Sequence, residues 1–148
     1  MIRIFIDSTV LFSACLPASG ASRAILERGV QGEIGIVVSA LVLSEVGGNL
    51  ADKAPLALPA FGRLLAALPL EIVRPSKAEV LDAAAYTAFK DAPIVAAAKR
   101  AHVVSLASLD RRHLVDPPEV AARSGLQIVL PGDLLRRLRQ GEGELGKG

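Results

Sequence analysis

Short apolar runs alternate along the chain with longer stretches of helical spacing. Ile2-Arg3-Ile4-Phe5-Ile6 reads as a buried strand, and Ile34–Val38, Leu70–Val73, Val103–Leu106 and Gln127–Leu130 repeat that pattern. Between them the spacing predicts a short helix over Val10–Leu16, broken by Pro17-Ala18-Ser19-Gly20, and a second helix over 21–31. Ser19 or Ser22 can cap that second helix, and Gly29 and Gly32 mark its end. Ser39 caps a helix running to Asp52; further helices are expected over 59–68, 77–89 and 91–101. Ser76 with Glu79 forms a capping box at the start of the 77–89 segment. A helical turn at 111–115, a short helix ending near Gly125 and a last helix over 132–139 complete the series. Strands that alternate with helices predict an α/β fold whose parallel sheet is covered on both faces. Residues 1–140 are expected to form one domain, with a Gly/Glu-rich flexible tail at 141–148.

Composition narrows the function classes. Of the 148 residues, 51% are hydrophobic, enough to build a core. No apolar run reaches the ~18 residues needed to span a membrane. No signal-like segment precedes the first strand, and the single cysteine, Cys15, excludes a disulfide framework and a cysteine zinc site. These features predict a cytoplasmic protein with no membrane partner. The net charge of +2 is compatible with RNA contact without arguing for it. Five aromatics (Phe5, Phe12, Phe61, Tyr86 and Phe89) are too few for a base-stacking platform.

Four acids stand out against this pattern. Asp7 ends the first strand and Asp110 follows the fourth. If those strands are parallel neighbours, both carboxylates emerge at the sheet edge where ligands bind in open α/β folds. Asp91 precedes the small-residue helix Ala92-Pro93-Ile94-Val95-Ala96-Ala97-Ala98, with Pro93 in its first turn. Glu45 shares a face with Val42, Val46 and Asn49 inside the third predicted helix. Each acid also has a structural reading: Asp7, Asp91 and Asp110 as helix caps, and Glu45 as part of a solvated face. Gathered at one edge, carboxylates repel one another, and a hard divalent cation relieves that repulsion. Ser8 and Ser108 are placed to orient the acids, and Arg111 and Arg112 to reach phosphates. His102 and His113 are too few for a histidine metal site; His102 is expected to be structural and Cys15 a buried core thiol. The run Arg136-Arg137-Leu138-Arg139 reads as a solvated helix face.

In order, these motifs are strand-Asp7-Ser8-Thr9, Ser44-Glu45-Val46, Asp91-Ala92-Pro93-Ile94-Val95-Ala96-Ala97-Ala98, and Ser108-Leu109-Asp110-Arg111-Arg112-His113-Leu114. That order, with the strand-Pro131-helix ending, resembles the PIN-domain nucleases over residues 2–138, and above all the small stand-alone prokaryotic PIN proteins that include VapC-type toxins. The resemblance implies a three-layer α/β/α sandwich around a mostly parallel five-stranded sheet. It implies Mg²⁺- or Mn²⁺-dependent hydrolysis of RNA phosphodiesters, with Asp7, Glu45, Asp91 and Asp110 as catalytic metal ligands. Ser8 and Ser108 would support those ligands. The implied partners are an RNA substrate, an antitoxin protein where such a pair exists, and a second copy in a homodimer. The chain departs from the family where many members carry a further acid after the last one, since Arg111, Arg112 and His113 stand there and Asp116 lies downstream. That departure motivates the alternative of a catalytically degenerate PIN-like module that binds RNA or protein. A phosphatase of the Asp-nucleophile type typically needs Asp-x-Asp after the first strand, and this chain has Asp7-Ser8-Thr9.

Overall fold

The computed structural model describes residues 1–18 and 20–145. Five strands, β1 (Arg3–Ile6), β2 (Gly35–Ser39), β3 (Glu71–Val73), β4 (Ser105–Ala107) and β5 (Gln127–Val129), form one sheet in the order β3-β2-β1-β4-β5. Every pairing is parallel, so the sheet is wholly rather than mostly parallel. Ile4, Phe5 and Ile6 on the central strand are fully buried, as are Val37 on β2 and Leu106 and Ala107 on β4. Burial on both faces is why these segments read as unbroken apolar runs. Each large side chain so buried contributes about 1.5–3 kcal/mol. The edge strand β3 is short and exposed, and its Glu71 pairs with Arg3 across β2.

Eight helices surround the sheet among the described residues: α1 (Ser8–Ala14), α2 (Gly20–Val30), α3 (Ala40–Lys53), α4 (Leu58–Ala67), α5 (Lys77–Ala84), α6 (Ala92–Arg100), α7 (Pro118–Ser124) and α8 (Pro131–Leu145). Helix α1 packs on α2 and α3, α4 on α3, and α8 returns to α2. Helices α5 and α6 pair with each other, tied by Arg100 and Glu79 at 2.6 Å. The chain moves from β1 to β2 and β3 in one direction, and from β3 to β4 and β5 in the other. Right-handed crossovers therefore put α1–α4 and α5–α7 on opposite faces. The result is a three-layer α/β/α sandwich. No helix among the described residues is long and apolar enough to cross a membrane.

Local chemistry explains most boundaries. Ser39 accepts from the Val42 N–H, and Ser76 and Glu79 complete the capping box of α5. Gly125 closes α7 in the left-handed region at φ 76°, where a side chain would be strained. His102 follows α6 in the same region, at φ 57°. Gly29 lets α2 lie close on β2: an added Cβ would stand 2.6 Å from Ile36 Cγ1 and 2.9 Å from Leu68 Cδ2. Cys15 is buried, as expected.

Several expectations change. Ser22 is a buried residue inside α2, which begins at Gly20, so it caps nothing; Ser19 lies outside the described residues. Helix α5 ends at Ala84, not at 89, and a 3₁₀ turn over Phe89–Asp91 leads into α6. Between them the Tyr86 ring lies against Lys99 at 5.8 Å and Arg123 at 5.0 Å, contacts made by residues of α6 and α7. Helix α8 runs on to Leu145 through the first part of the expected tail, while 146–148 lie outside the described residues. Burial of Leu134, Leu135 and Leu138 and packing on α2 anchor α8 against the ~1 kcal/mol that each helical glycine costs.

Candidate metal centre at the carboxyl edge

The direction of the strand order reverses between β1 and β4, and a crevice at such a switch point is the usual ligand site of an open parallel sheet. Ile6 is in register with Ala107, and the Asp7 N–H donates to the Ala107 carbonyl at 3.2 Å. Asp7 and the Ser108–Asp110 loop therefore leave the sheet side by side.

Asp7 is the most enclosed of the acids. Its Oδ1 accepts from the Thr9 hydroxyl at 2.6 Å and from the Val10 N–H at 3.1 Å, which caps α1. Its Oδ2 accepts from the fully buried Ser108 hydroxyl at 2.5 Å. Burial nonetheless holds the Asp7 carboxyl above its ordinary range, and these hydrogen bonds only partly offset it. The capping and functional readings of Asp7 coexist. Ser108 also accepts from the Asp110 N–H at 3.0 Å, and the Leu109 N–H donates to Thr9 Oγ1 at 2.9 Å. Two loops from distant parts of the sequence are thus laced together by hydroxyls.

Asp110 caps the turn Arg111–Val115, a π-helical turn, by accepting from the His113 N–H at 3.1 Å. Its side chain also meets the His113 ring, with Nδ1 3.2 Å from both carboxylate oxygens, and Lys90 Nζ at 3.4 Å from Oδ2. Burial pushes the Asp110 pKa up, but the His113 N–H, Lys90 and the His113 ring outweigh it, and the net direction is down.

Asp91 stands at the end of the 3₁₀ turn, immediately before α6, and its side chain makes no capping hydrogen bond. It occupies the N-cap position, as its alternative reading has it, but without the side-chain hydrogen bond of a cap. Its Oδ2 is buried without a hydrogen-bond partner, and Lys90 Nζ lies 3.9 Å away. Its pKa is raised, by burial first; the charge of Asp110 adds to the rise, and Lys90 and His113 oppose it. Glu45 is exposed on α3, whose Val42 and Val46 are buried, so it occupies the rim of the apolar face and not its middle. Partial burial raises its pKa, followed by the charges of Asp7 and Asp91, and it lines a groove with Ser8, Thr9 and Leu109. Ser8 draws Glu45 the other way, although its buried Oγ completes no hydrogen bond by geometry.

All four acids from the sequence therefore converge on one crevice. Three of them have raised pKa values, with burial the first cause of each; neighbouring carboxylate charge adds to the rise at Glu45 and Asp91. Lys90 is the cation lying among Asp91 and Asp110 in this state. A buried carboxylate oxygen without a partner, beside a second carboxylate and an imidazole, fits an oxygen- and nitrogen-ligated divalent ion. The residues present fit such a group.

The solved structure of PAE2754 from Pyrobaculum aerophilum superposes on the chain with a TM-score of 0.62 at 18% identity, over 91% of this chain and 94% of that one. The likeness establishes the fold. No family model and no curated protein matches the sequence.

Two residues near the acids are not among those the motifs single out. Two histidines are too few for a histidine site, yet Asp91, Asp110 and His113 each offer one ligand atom, all within 4.8 Å of one another. The signal was its place three residues after Asp110 in the turn, a spacing that returns a side chain to the same face. Lys90 carried no sequence signal, because its role depends on a contact with Asp110 made only by the fold. Arg111 and Arg112 are exposed beside the site. Asp116 is also exposed and pairs with Arg111 at 3.5 Å, so it is engaged outside the cluster. A groove of about 370 Å³ adjoins the acids between α1 and α3, lined by Thr9, Phe12, Glu45, Asn49, Lys53 and Leu109. Larger cavities, one of about 570 Å³ against Ile2, Val104 and Leu138 and one of about 430 Å³ against Glu79, Lys99 and Arg100, contain none of the four acids.

Proposed function

We propose that the protein is a Mg²⁺- or Mn²⁺-dependent ribonuclease of the PIN-domain type. The observation that carries this reading is the convergence of Asp7, Glu45, Asp91 and Asp110 at the switch point between β1 and β4, with the Asp91 Oδ2 atom buried and unpartnered. The order of the acid motifs along the chain supports the family, and the parallel α/β/α fold is the one that family implies.

Asp7, Asp91 and Asp110 would hold the cation, with Glu45 facing them across the crevice. A divalent ion there supplies Lewis-acid polarisation of a phosphoryl oxygen and makes water more acidic. The chain's own groups do the positioning. Ser108 and Thr9 each donate to one oxygen of Asp7, so its carboxylate is fixed before any ligand arrives. Ser108 holds the Asp110 backbone at the same time. Glu45 can accept a hydrogen bond from the attacking water. Exposed Arg111 and Arg112 can meet phosphates flanking the scissile one. Lys90 is free to leave the carboxylates for a phosphoryl oxygen once their charge is neutralised. Water adds to phosphorus, the P–O3′ bond breaks, and the products are a 5′-phosphate and a 3′-hydroxyl.

Within this reading the chain is a candidate toxin, with an antitoxin protein as its partner and a homodimer as its assembly. The alternative is a PIN-like module that binds RNA or protein without cleaving. It draws on Arg111, Arg112 and His113 standing where many family members carry a further acid. Incubation of purified protein with single-stranded and structured RNA, in Mn²⁺, Mg²⁺ or EDTA, separates the two. Metal-dependent cleavage supports the nuclease, and RNA binding without cleavage supports the module.

A further inference from the structure

We infer that His113 is a further ligand of the metal, so that an imidazole joins the carboxylates around the ion and the site prefers Mn²⁺ to Mg²⁺. This rests on the metal-dependent reading above and adds a ligand that neither the motif order nor the family pattern supplies. The ligand atoms of Asp91, Asp110 and His113 lie within 4.8 Å of one another. The position of His113 is built by the backbone. Its N–H donates to Asp110 Oδ1 at 3.1 Å, and the Leu114 and Val115 N–H groups both return to the Asp110 carbonyl at 3.1 Å. This widened turn carries the ring back over the carboxylate, with Nδ1 3.2 Å from each Asp110 oxygen.

An independent observation asks for a cation at this spot. Asp91 is 8% exposed, its Oδ2 has no hydrogen-bond partner, and burial is costly for a carboxylate oxygen left unpaired. Lys90 lies within 3.9 Å of that oxygen and 3.4 Å of Asp110 Oδ2, which makes it a resident counter-charge that a divalent ion would displace. Replacing an oxygen donor by an imidazole nitrogen changes selectivity. Mg²⁺ holds its waters and favours oxygen ligands, whereas first-row transition ions accept nitrogen readily. The rival role for His113 is to orient Asp110 by a hydrogen bond without touching the ion.

Pulsed electron paramagnetic resonance of the Mn²⁺-loaded protein distinguishes the two roles, because a coordinated imidazole couples its ¹⁴N to the electron spin. Wild type, His113→Gln and His102→Gln are compared, with Mn²⁺ and Mg²⁺ affinities measured by calorimetry and folding checked by circular dichroism. The expected result is ¹⁴N coupling in wild type and in His102→Gln, and none in His113→Gln. Mn²⁺ affinity should fall about 10-fold or more in His113→Gln, with a smaller change for Mg²⁺. Bound Mn²⁺ without ¹⁴N coupling, or coupling that survives in His113→Gln, overturns the inference and leaves the metal-dependent reading standing. Failure of the wild type to bind Mn²⁺ overturns both.

Discussion

Ser108→Ala tests whether the two acid-bearing loops are held together as described. The Ser108 hydroxyl donates to Asp7 Oδ2 at 2.5 Å and accepts from the Asp110 N–H at 3.0 Å, and the residue is fully buried. Alanine removes one hydrogen bond to a charged group, worth about 1.5–3 kcal/mol, and leaves a backbone N–H without its partner, at about 1 kcal/mol more. The expected loss is therefore ~2.5–4 kcal/mol. At about 3 °C per kcal/mol for a domain of this size, Tm should fall by ~7–12 °C. The pH dependence has a definite sign. Asp7 has a raised folded-state pKa, so its contribution to stability is full below its unfolded pKa and is lost as pH rises through the folded one. Ser108 lowers that folded pKa, and its removal raises it further and deepens the loss at neutral pH. The cost of Ser108→Ala should thus be largest at neutral pH and shrink as pH falls through the Asp7 titration. Urea unfolding of wild type, Ser108→Ala and Ser108→Thr at pH ~7 and ~4 measures both effects, with threonine expected to restore most of the stability. A loss at neutral pH below about 0.5 kcal/mol, the range of neutral surface changes, would refute the reasoning. So would a loss that is larger in acid.

Asp91→Asn should leave the apo protein as stable as wild type or more so at neutral pH, since the raised Asp91 pKa means its ionised form costs stability as pH rises through it. The difference should disappear in acid, as thermal melts in EDTA across pH will show. Lys90→Met should tighten Mn²⁺ binding roughly 3- to 10-fold in calorimetry, because it removes a competing cation that solvent partly screens; weaker binding would contradict its place among the carboxylates. Gly29→Ala should cost about 1–3 kcal/mol in denaturant unfolding by forcing Ile36 and Leu68 aside; no loss would mean that α2 and β2 are farther apart than described.

The sheet was legible because its strands are buried on both faces. Ile4, Phe5 and Ile6 form a short run of bulky, largely β-branched residues, and their parallel pairing with Ser105–Ala107 follows from the helices between. Asp7 and Asp110 are legible for the same reason, since Asp7 directly follows β1 and Asp110 stands three residues past β4, the two strands beside the switch point. Ser76 and Glu79 announced their helix because a capping box is local. What the sequence concealed is non-local. Tyr86, just past the end of α5, meets Lys99 and Arg123 on other helices, contacts that the 77–89 pattern does not contain. Asp91 reads as a cap by residue type, but the 3₁₀ turn before it leaves its carboxylate unspent. His113 was discounted by counting histidines, whereas its role depends on a turn that returns its ring to Asp110. Lys90 reaches Asp110 only because the turn before α6 and the loop after β4 meet at one edge.

The central claim is that these carboxylates gather a divalent ion to hydrolyse RNA. The most direct test is cleavage of single-stranded and structured RNA by wild type and Asp91→Asn, each in Mn²⁺, Mg²⁺ and EDTA, with product ends analysed. The account predicts cleavage by wild type in metal, none in EDTA, none by folded Asp91→Asn, and 5′-phosphate ends. Cleavage that persists in EDTA or in Asp91→Asn, or no cleavage of either RNA by metal-loaded wild type, would contradict it.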